Sequence, residues 1–312
     1  MSQRTVHLVG AAGQLGTALQ SVAPADVRLR CHRSREMDLT DSDSVEAGLA
    51  DLRAGDVVLN AAAYTAVDDA ETDWKGAYAL NAAGPARLAA LTAAAGARLI
   101  QISTDYVFAV DGTHTEPLEP DDLDQATQPT SVYGASKLAG ERAALAADPA
   151  TTVVRTSWVY TGGAGSPDFV GTMRRLEASR PEISVVDDQR GSPTYARDLA
   201  AGLWELVERV GAGSGTPGDD PTAGAVLHAT GGGSATWYQL ACAVFAGVGA
   251  DPARVRPCTT ADFPRPAPRP AFSVLSPRSW TAAGLTPLRD WRAALTDALA
   301  ADPATDAAGI VS

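Results

Sequence analysis

Apolar residues in this chain fall in short runs that stop at glycine or at polar residues, and longer alanine- and leucine-rich stretches lie between them. The run at residues 6–9 reads as a buried strand, and residues 14–22 read as a helix. Residues 26–31 and 56–60 carry two further strand patterns. Residues 77–95 are helical by their alanine and leucine content, and 98–103 form another strand. A helix over 131–147 and a strand over 151–156 continue the alternation. Strands alternating with helices predict a parallel sheet with right-handed crossovers, which is an α/β, doubly wound architecture. After residue 160 the pattern loosens. Residues 161–165 are irregular, 211–224 read as a flexible surface loop, and the prolines of 264–270 exclude regular helix or central strand.

The chain has 312 residues, enough for one large or two modest domains with a real core. A net charge of −12 argues against nucleic acid as a partner, because a phosphate backbone calls for a basic surface. No apolar stretch of about 18 residues suggests a membrane span, and Met1-Ser2-Gln3-Arg4 leads straight into a strand, so a cytoplasmic protein is expected. Cys31, Cys242 and Cys258 are odd in number and far apart, which offers neither a disulfide framework nor a Cys-x-x-Cys site. His7, His32, His114 and His228 are equally dispersed and read as structural or surface residues rather than metal ligands.

Two motifs carry the chemistry. Gly10-Ala11-Ala12-Gly13-Gln14-Leu15-Gly16 lies between the first strand and the first helix. Glycines there let the backbone approach a pyrophosphate, and the helix N-terminus holds its charge. This makes residues 1–160 a Rossmann-type NAD(P)-binding domain and 161–312 a smaller substrate-binding region, partly interleaved with the sheet. The second motif, Tyr133-Gly134-Ala135-Ser136-Lys137, sets a phenol and an ammonium on one helix face. An NAD-specific enzyme usually has an acid after the second strand for the ribose 2′-hydroxyl. Here that place holds Cys31-His32-Arg33, with Arg35 close by, so NADPH is the expected cofactor and NADH stays open.

These blocks, with Asn60 to Asp68, Ser103 to Phe108, Val132 to Glu141, Arg155 to Tyr160, Asp188 to Thr194 and Arg269-Pro270, resemble the extended short-chain dehydrogenase/reductases. Within that group they are similar to the reductases of dTDP-4-dehydrorhamnose. The resemblance implies that Tyr133 protonates the C4 carbonyl oxygen of a dTDP-sugar as hydride arrives. Lys137 would stabilise the phenolate and bind the nicotinamide ribose, and Thr104 would polarise the ketone. Gly13, Gln14 and Leu15 would face the pyrophosphate, Asp38 and Leu39 the adenine, and Ala62, Ala63 and Tyr64 the ribose and nicotinamide.

Sugar-nucleotide dehydratases of similar sequence carry an Asp-Glu pair just after the threonine, whereas this chain has Asp105 and Tyr106. The missing glutamate removes the elimination base and favours simple reduction, with Asp105 on a sugar hydroxyl. By resemblance Val67 and Trp158 close on the deoxysugar, and Thr194 and Arg269 are candidates for the diphosphate. Some relatives dimerise around a metal held by a glutamate on the first helix. Ala18 stands at that position beside Thr17, which implies no structural metal and a monomer or weak homodimer. Two alternatives stay open: reduction of a related dTDP-4-ketohexose, and a non-catalytic NADP-binding regulatory subunit.

Overall fold

The protein, seen in a computed structural model, is described over residues 4–108, 115–123, 126–212 and 220–301. The chain begins with β1 (Thr5–Val9), α1 (Gln14–Ser21), β2 (Arg28–His32), α2 (Ser42–Gly48) and β3 (Val57–Asn60). It continues through α3 (Trp74–Tyr78), α4 (Gly84–Ala95), β4 (Arg98–Thr104), α5 (Val132–Ala147) and β5 (Thr152–Thr156). Beyond these come β6 (Val159–Tyr160), α6 (Phe169–Ser179), β7 (Ile183–Val186), β8 (Arg190–Gly191), β9 (Thr194–Tyr195) and α7 (Ala196–Ala212). The last elements are β10 (Val226–His228), β11 (Ala235–Thr236), α8 (Trp237–Gly247), β12 (Val255–Cys258), α9 (Arg278–Ala282) and α10 (Trp291–Ala300).

Six strands form one parallel sheet in the order β2-β1-β3-β4-β5-β10. All residues of β1, β3 and β5 are buried, as expected for strands covered by helices on both faces. β2, at an edge, is half exposed. The strand order reverses between β1 and β3, so the crevice at their C-terminal ends is where such sheets take ligands.

Chain from beyond residue 160 re-enters this body: β10 pairs with β5, and α7 lies along α1, with Trp204 Nε1 donating to the Leu19 carbonyl at 3.0 Å. A second core gathers Tyr160, Val170, Met173, Tyr195, Phe245 and Trp291 from the C-terminal elements. Short strand pairs β6–β9, β8–β11 and β7–β12 stitch that part together. Among the described residues no helix is long and apolar enough to cross a membrane.

Two readings change in detail. The expected continuous helix over 77–95 is interrupted by a π-turn at Ala79–Ala83. Its cause is Asn81, whose side chain accepts from the Tyr64 N–H at 2.8 Å and donates to the Tyr64 carbonyl at 3.1 Å and to Ser136 Oγ at 3.0 Å. The expected loop over 211–224 begins two residues inside α7. Residues 213–219 of it lie outside the described residues, and Asp220 beyond them pairs with Arg98 at 2.6 Å.

His7 and His228 are buried and His32 is half-buried, while His114 lies outside the described residues.

Candidate active site

The glycine turn is shaped by close approach of backbone. Gly10 has φ +81°, and a β-carbon there would come within 2.6 Å of the Ala62 nitrogen at the end of β3. The N–H groups of Gly10 and Ala11 donate to the His32 carbonyl at 3.0 and 3.2 Å, which ties the turn to the end of β2. A β-carbon on Gly16 would collide with the Gly10 carbonyl, so this glycine lets α1 sit against the turn. Gly13 is the N-cap of α1 and has no side chain to satisfy the first-turn N–H groups. By contrast α5, α6, α8 and α10 are each capped by a Ser, Asp or Thr side chain. The N–H groups at the start of α1 are thus left for an anion, in the geometry that suits a pyrophosphate.

Tyr133 and Lys137 rise from the first turns of α5, which Ser131 caps at 3.1 Å and Glu71 anchors by accepting from the Val132 N–H at 2.9 Å. A β-carbon on Gly134 would collide with the Tyr106 carbonyl, so glycine brings the helix start directly against the turn that follows β4. Gly140 does the same one stage later, against the Asn81 carbonyl. Both functional side chains are buried. Burial pushes the Tyr133 phenol up to about 12, opposed by a hydrogen bond with Thr104 and reinforced by the Asp105 charge. Burial also pulls the Lys137 ammonium down to about 8, opposed by Glu141 one turn along. Lys137 Nζ donates to the Ile102 carbonyl at 2.7 Å, which uses one of its three donor positions.

Thr104 ends β4, and its hydroxyl lies 3.0 Å from Asp105 Oδ1 as well as beside the Tyr133 phenol. Asp105 is buried, and burial raises its carboxyl to about 6 against the pull of Ser273 and Thr104. The Tyr106 ring meets Tyr133 edge-on at 5.5 Å and 73°, with its phenol driven up by burial and then by Asp105.

A cavity of about 1280 Å³ joins these two motifs. Single small-ligand sites span roughly 300–1,000 Å³, so this volume leaves room for two ligands side by side. Of the residues expected from sequence, Gly10, Gly13, Gln14, Leu15, Asp38, Leu39, Ala62 and Ala63 line it. Val67, Thr104, Asp105, Tyr106, Tyr133, Lys137 and Trp158 line it as well.

Several of the expected residues are already engaged by other groups, and some lie off the cavity wall. Gln14 spends its amide on Asp168 Oδ2 at 2.9 Å and Ser166 Oγ at 3.0 Å, a bridge from α1 to the start of α6. Tyr64 has its backbone held by Asn81 and its phenol directed to Asp73, and the cavity wall takes its neighbours Ala63 and Thr65 rather than Tyr64 itself. Thr194 is fully buried. Its hydroxyl donates to the Ser192 carbonyl at 3.2 Å and accepts from the Gly231 N–H at 3.1 Å, which leaves nothing for a phosphate. Arg269 makes a bidentate pair with Asp68 at 2.7 and 2.9 Å, so its guanidinium is already met by a carboxylate. Arg33 is half-buried outside the cavity wall, and Arg35 is exposed with Glu36 at 3.6 Å. Sequence reasoning missed Asn81, Glu71, Asp168 and Trp237. Only Trp237 had a local signal, since Thr236 and Gln239 form a capping-box pattern ahead of an apolar run.

The chain matches the family described as RmlD substrate binding domain over residues 4–303. It is 51% identical over 306 residues to a dTDP-4-dehydrorhamnose reductase of Mycobacterium tuberculosis, covering 96% of this chain and 95% of that one. A protein of Streptomyces antibioticus, called a probable dTDP-4,6-dihydroxy-2-methyloxan-3-one 4-ketoreductase, is 46% identical over 293 residues and 93% of each chain. A crystal structure of the Bacillus anthracis dTDP-4-dehydrorhamnose reductase in complex with NADP superposes with a TM-score of 0.82 at 32% identity, covering 95% of this chain and 98% of that one. With its glycine turn, its Tyr133 and Lys137 helix and these matches along nearly its whole length, the chain belongs to the RmlD substrate-binding-domain family of dTDP-4-dehydrorhamnose reductases.

Proposed function

We propose that the protein reduces the C4 ketone of dTDP-4-dehydro-6-deoxy-L-mannose to dTDP-L-rhamnose with NADPH. The observation that carries this is the single cavity running from the uncapped start of α1 to the buried Tyr133, Lys137 and Thr104. The residues fit a dinucleotide. The free N–H groups of α1 suit the pyrophosphate, Asp38 and Leu39 the adenosine end, and Ala62, Ala63 and Lys137 the nicotinamide end. Arg33 and Arg35 stand on either side of Ser34, which lines the cavity, and would turn toward it to meet a 2′-phosphate. The NADP complex of the Bacillus anthracis relative supports this choice.

When bound, the reduced nicotinamide supplies hydride to the ketone carbon. Tyr133 holds its proton throughout the neutral range, since burial keeps the phenol near 12, and gives it to the carbonyl oxygen as charge develops there. Thr104 donates to the same oxygen and lowers the cost of that charge. Lys137 keeps a positive charge beside the phenolate that is left. Asp105 accepts a sugar hydroxyl, and Val67 and Trp158 border the deoxysugar.

Arg269 takes the diphosphate only by exchanging its bond to Asp68, and Thr194 serves this site as support for the backbone around it. Thr17 and Ala18 put no carboxylate on α1, which favours a monomer or weak homodimer without a bridging metal.

The test is to mix the purified protein with NADPH and the ketosugar, then follow nicotinamide absorbance together with product mass. One NADPH consumed per sugar, with a product heavier by two hydrogens, is the expected result; a changed sugar without NADPH loss refutes reduction. A related dTDP-4-ketohexose is the second reading, favoured by the 46% identity to the Streptomyces antibioticus ketoreductase. Comparing kcat/KM for the two sugars separates them.

A further inference from the structure

Trp158 is the single non-glycine residue with positive φ among the described residues, at +48°. In that region a β-carbon crowds the neighbouring carbonyl, and a bulky aromatic residue stays there only when its surroundings over-determine it. Such strain gathers at functional sites, and Trp158 lines the cavity just beyond the end of β5.

The surroundings that hold it can be named. Its carbonyl accepts from the Thr194 N–H at 3.2 Å, and the next residue, Val159, pairs with Thr194 across β6–β9. A β-carbon at Gly191 would lie 2.6 Å from Trp158 Nε1 and 2.7 Å from Cζ2, so glycine leaves room for the indole. One face of that indole is covered by Trp237, stacked with ring centroids 3.5 Å apart and planes within 5°. Trp237 is in turn backed by Phe169 at 4.5 Å.

Trp237 is itself rigidly mounted. It is the first residue of α8, and Thr236 and Gln239 close a capping box around it at 3.0 and 3.1 Å. The Thr236 hydroxyl also donates to Asp187. A ring anchored in the C-terminal elements therefore clamps a strained ring at the edge of the Rossmann body.

We propose that Trp237 is a positioning residue for sugar recognition: its stack keeps Trp158 in the left-handed conformation and at the depth in the cavity where the 6-deoxyhexose of a nucleotide sugar binds. This rests on the reductase reading above. Without the stack, Trp158 relaxes toward an ordinary backbone region, and the substrate has to order it on binding. The loss falls on substrate affinity, because Tyr133, Lys137 and Thr104 are anchored by α5 and β4 rather than by α8.

The experiment compares wild type with Trp237→Ala, Trp237→Phe and Trp158→Phe. In Trp237→Ala the KM for the ketosugar rises about tenfold or more, with kcat and the KM for NADPH within about twofold of wild type. Trp237→Phe, which keeps a flat ring, recovers the sugar KM to within about threefold. Two stacked indoles also give an exciton couplet in circular dichroism, and Trp158→Phe and Trp237→Phe both abolish it. A sugar KM unchanged in Trp237→Ala but raised in Trp158→Phe overturns the proposal. So does a parallel fall of kcat, NADPH affinity and Tm, the mark of a merely structural ring. If the wild type consumes no NADPH with the sugar, the reductase reading fails by itself. The couplet then still judges the clamp, which stands if each single variant abolishes it and falls if it survives in either of them.

Discussion

Replacing Tyr133 by Phe removes one hydroxyl and keeps the ring among Ala70, Ala77, Val67 and Tyr106. The hydroxyl's polar neighbour, Thr104, retains Asp105 at 3.0 Å, so no buried donor is stranded. Loss of one neutral hydrogen bond then costs about 0.5–1.5 kcal/mol of stability. That corresponds to a Tm lower by a few degrees. The effect on rate is far larger, because a positioned acid contributes on the order of 10² to 10⁴, or about 2.7–5.4 kcal/mol of barrier. Tyr106 is a poor substitute because it is held more strongly protonated by burial and by Asp105, and Lys137 is tethered by donating a hydrogen bond to the Ile102 carbonyl. Stopped-flow absorbance measures the single-turnover rate, and titration of nicotinamide fluorescence measures NADPH binding. The expectation is a rate lowered at least a hundredfold with NADPH affinity within about twofold. A rate within tenfold of wild type, or an equal loss of rate and cofactor binding, refutes the assignment of Tyr133 as the acid.

Lys137 is needed as the ammonium, and burial brings it to about 8, so kcat/KM falls as pH rises through about 8; a profile flat to pH 10 contradicts this. Replacing both Arg33 and Arg35 by Ala raises the KM for NADPH by roughly tenfold and leaves that for NADH nearly unchanged, measured by steady-state kinetics with each cofactor. Arg155 meets Glu141 at 2.8 Å with both side chains 3% exposed, and Arg155→Met strands the carboxylate, lowering stability in urea by about 3–5 kcal/mol.

The order of strands and helices was legible along the chain because alternation of buried runs and helical stretches is a local property. The glycine turn was equally legible, since strand, glycines and helix are contiguous, and Tyr133 and Lys137 share a face by helical periodicity alone. What the residues could not announce was their partners at long sequence separation. Asn81 looks like any polar residue in an alanine-rich helix until Tyr64 and Ser136 lie beside it and open a π-turn. Arg269 looks like a free cation until Asp68 arrives across some two hundred residues. Thr194 looks like a phosphate donor until Ser192 and Gly231 take its hydroxyl.

The α/β body, the turn that faces an anion and the acid–ammonium pair all follow from residues close together along the chain. Tertiary structure alone decided which polar side chains remain free for ligands, because each such group bonds the nearest partner that folding brings within about 3 Å. It also decided that Trp158 adopts a left-handed conformation, because that strain is sustained only by Gly191, Thr194 and Trp237 closing around it from distant parts of the chain.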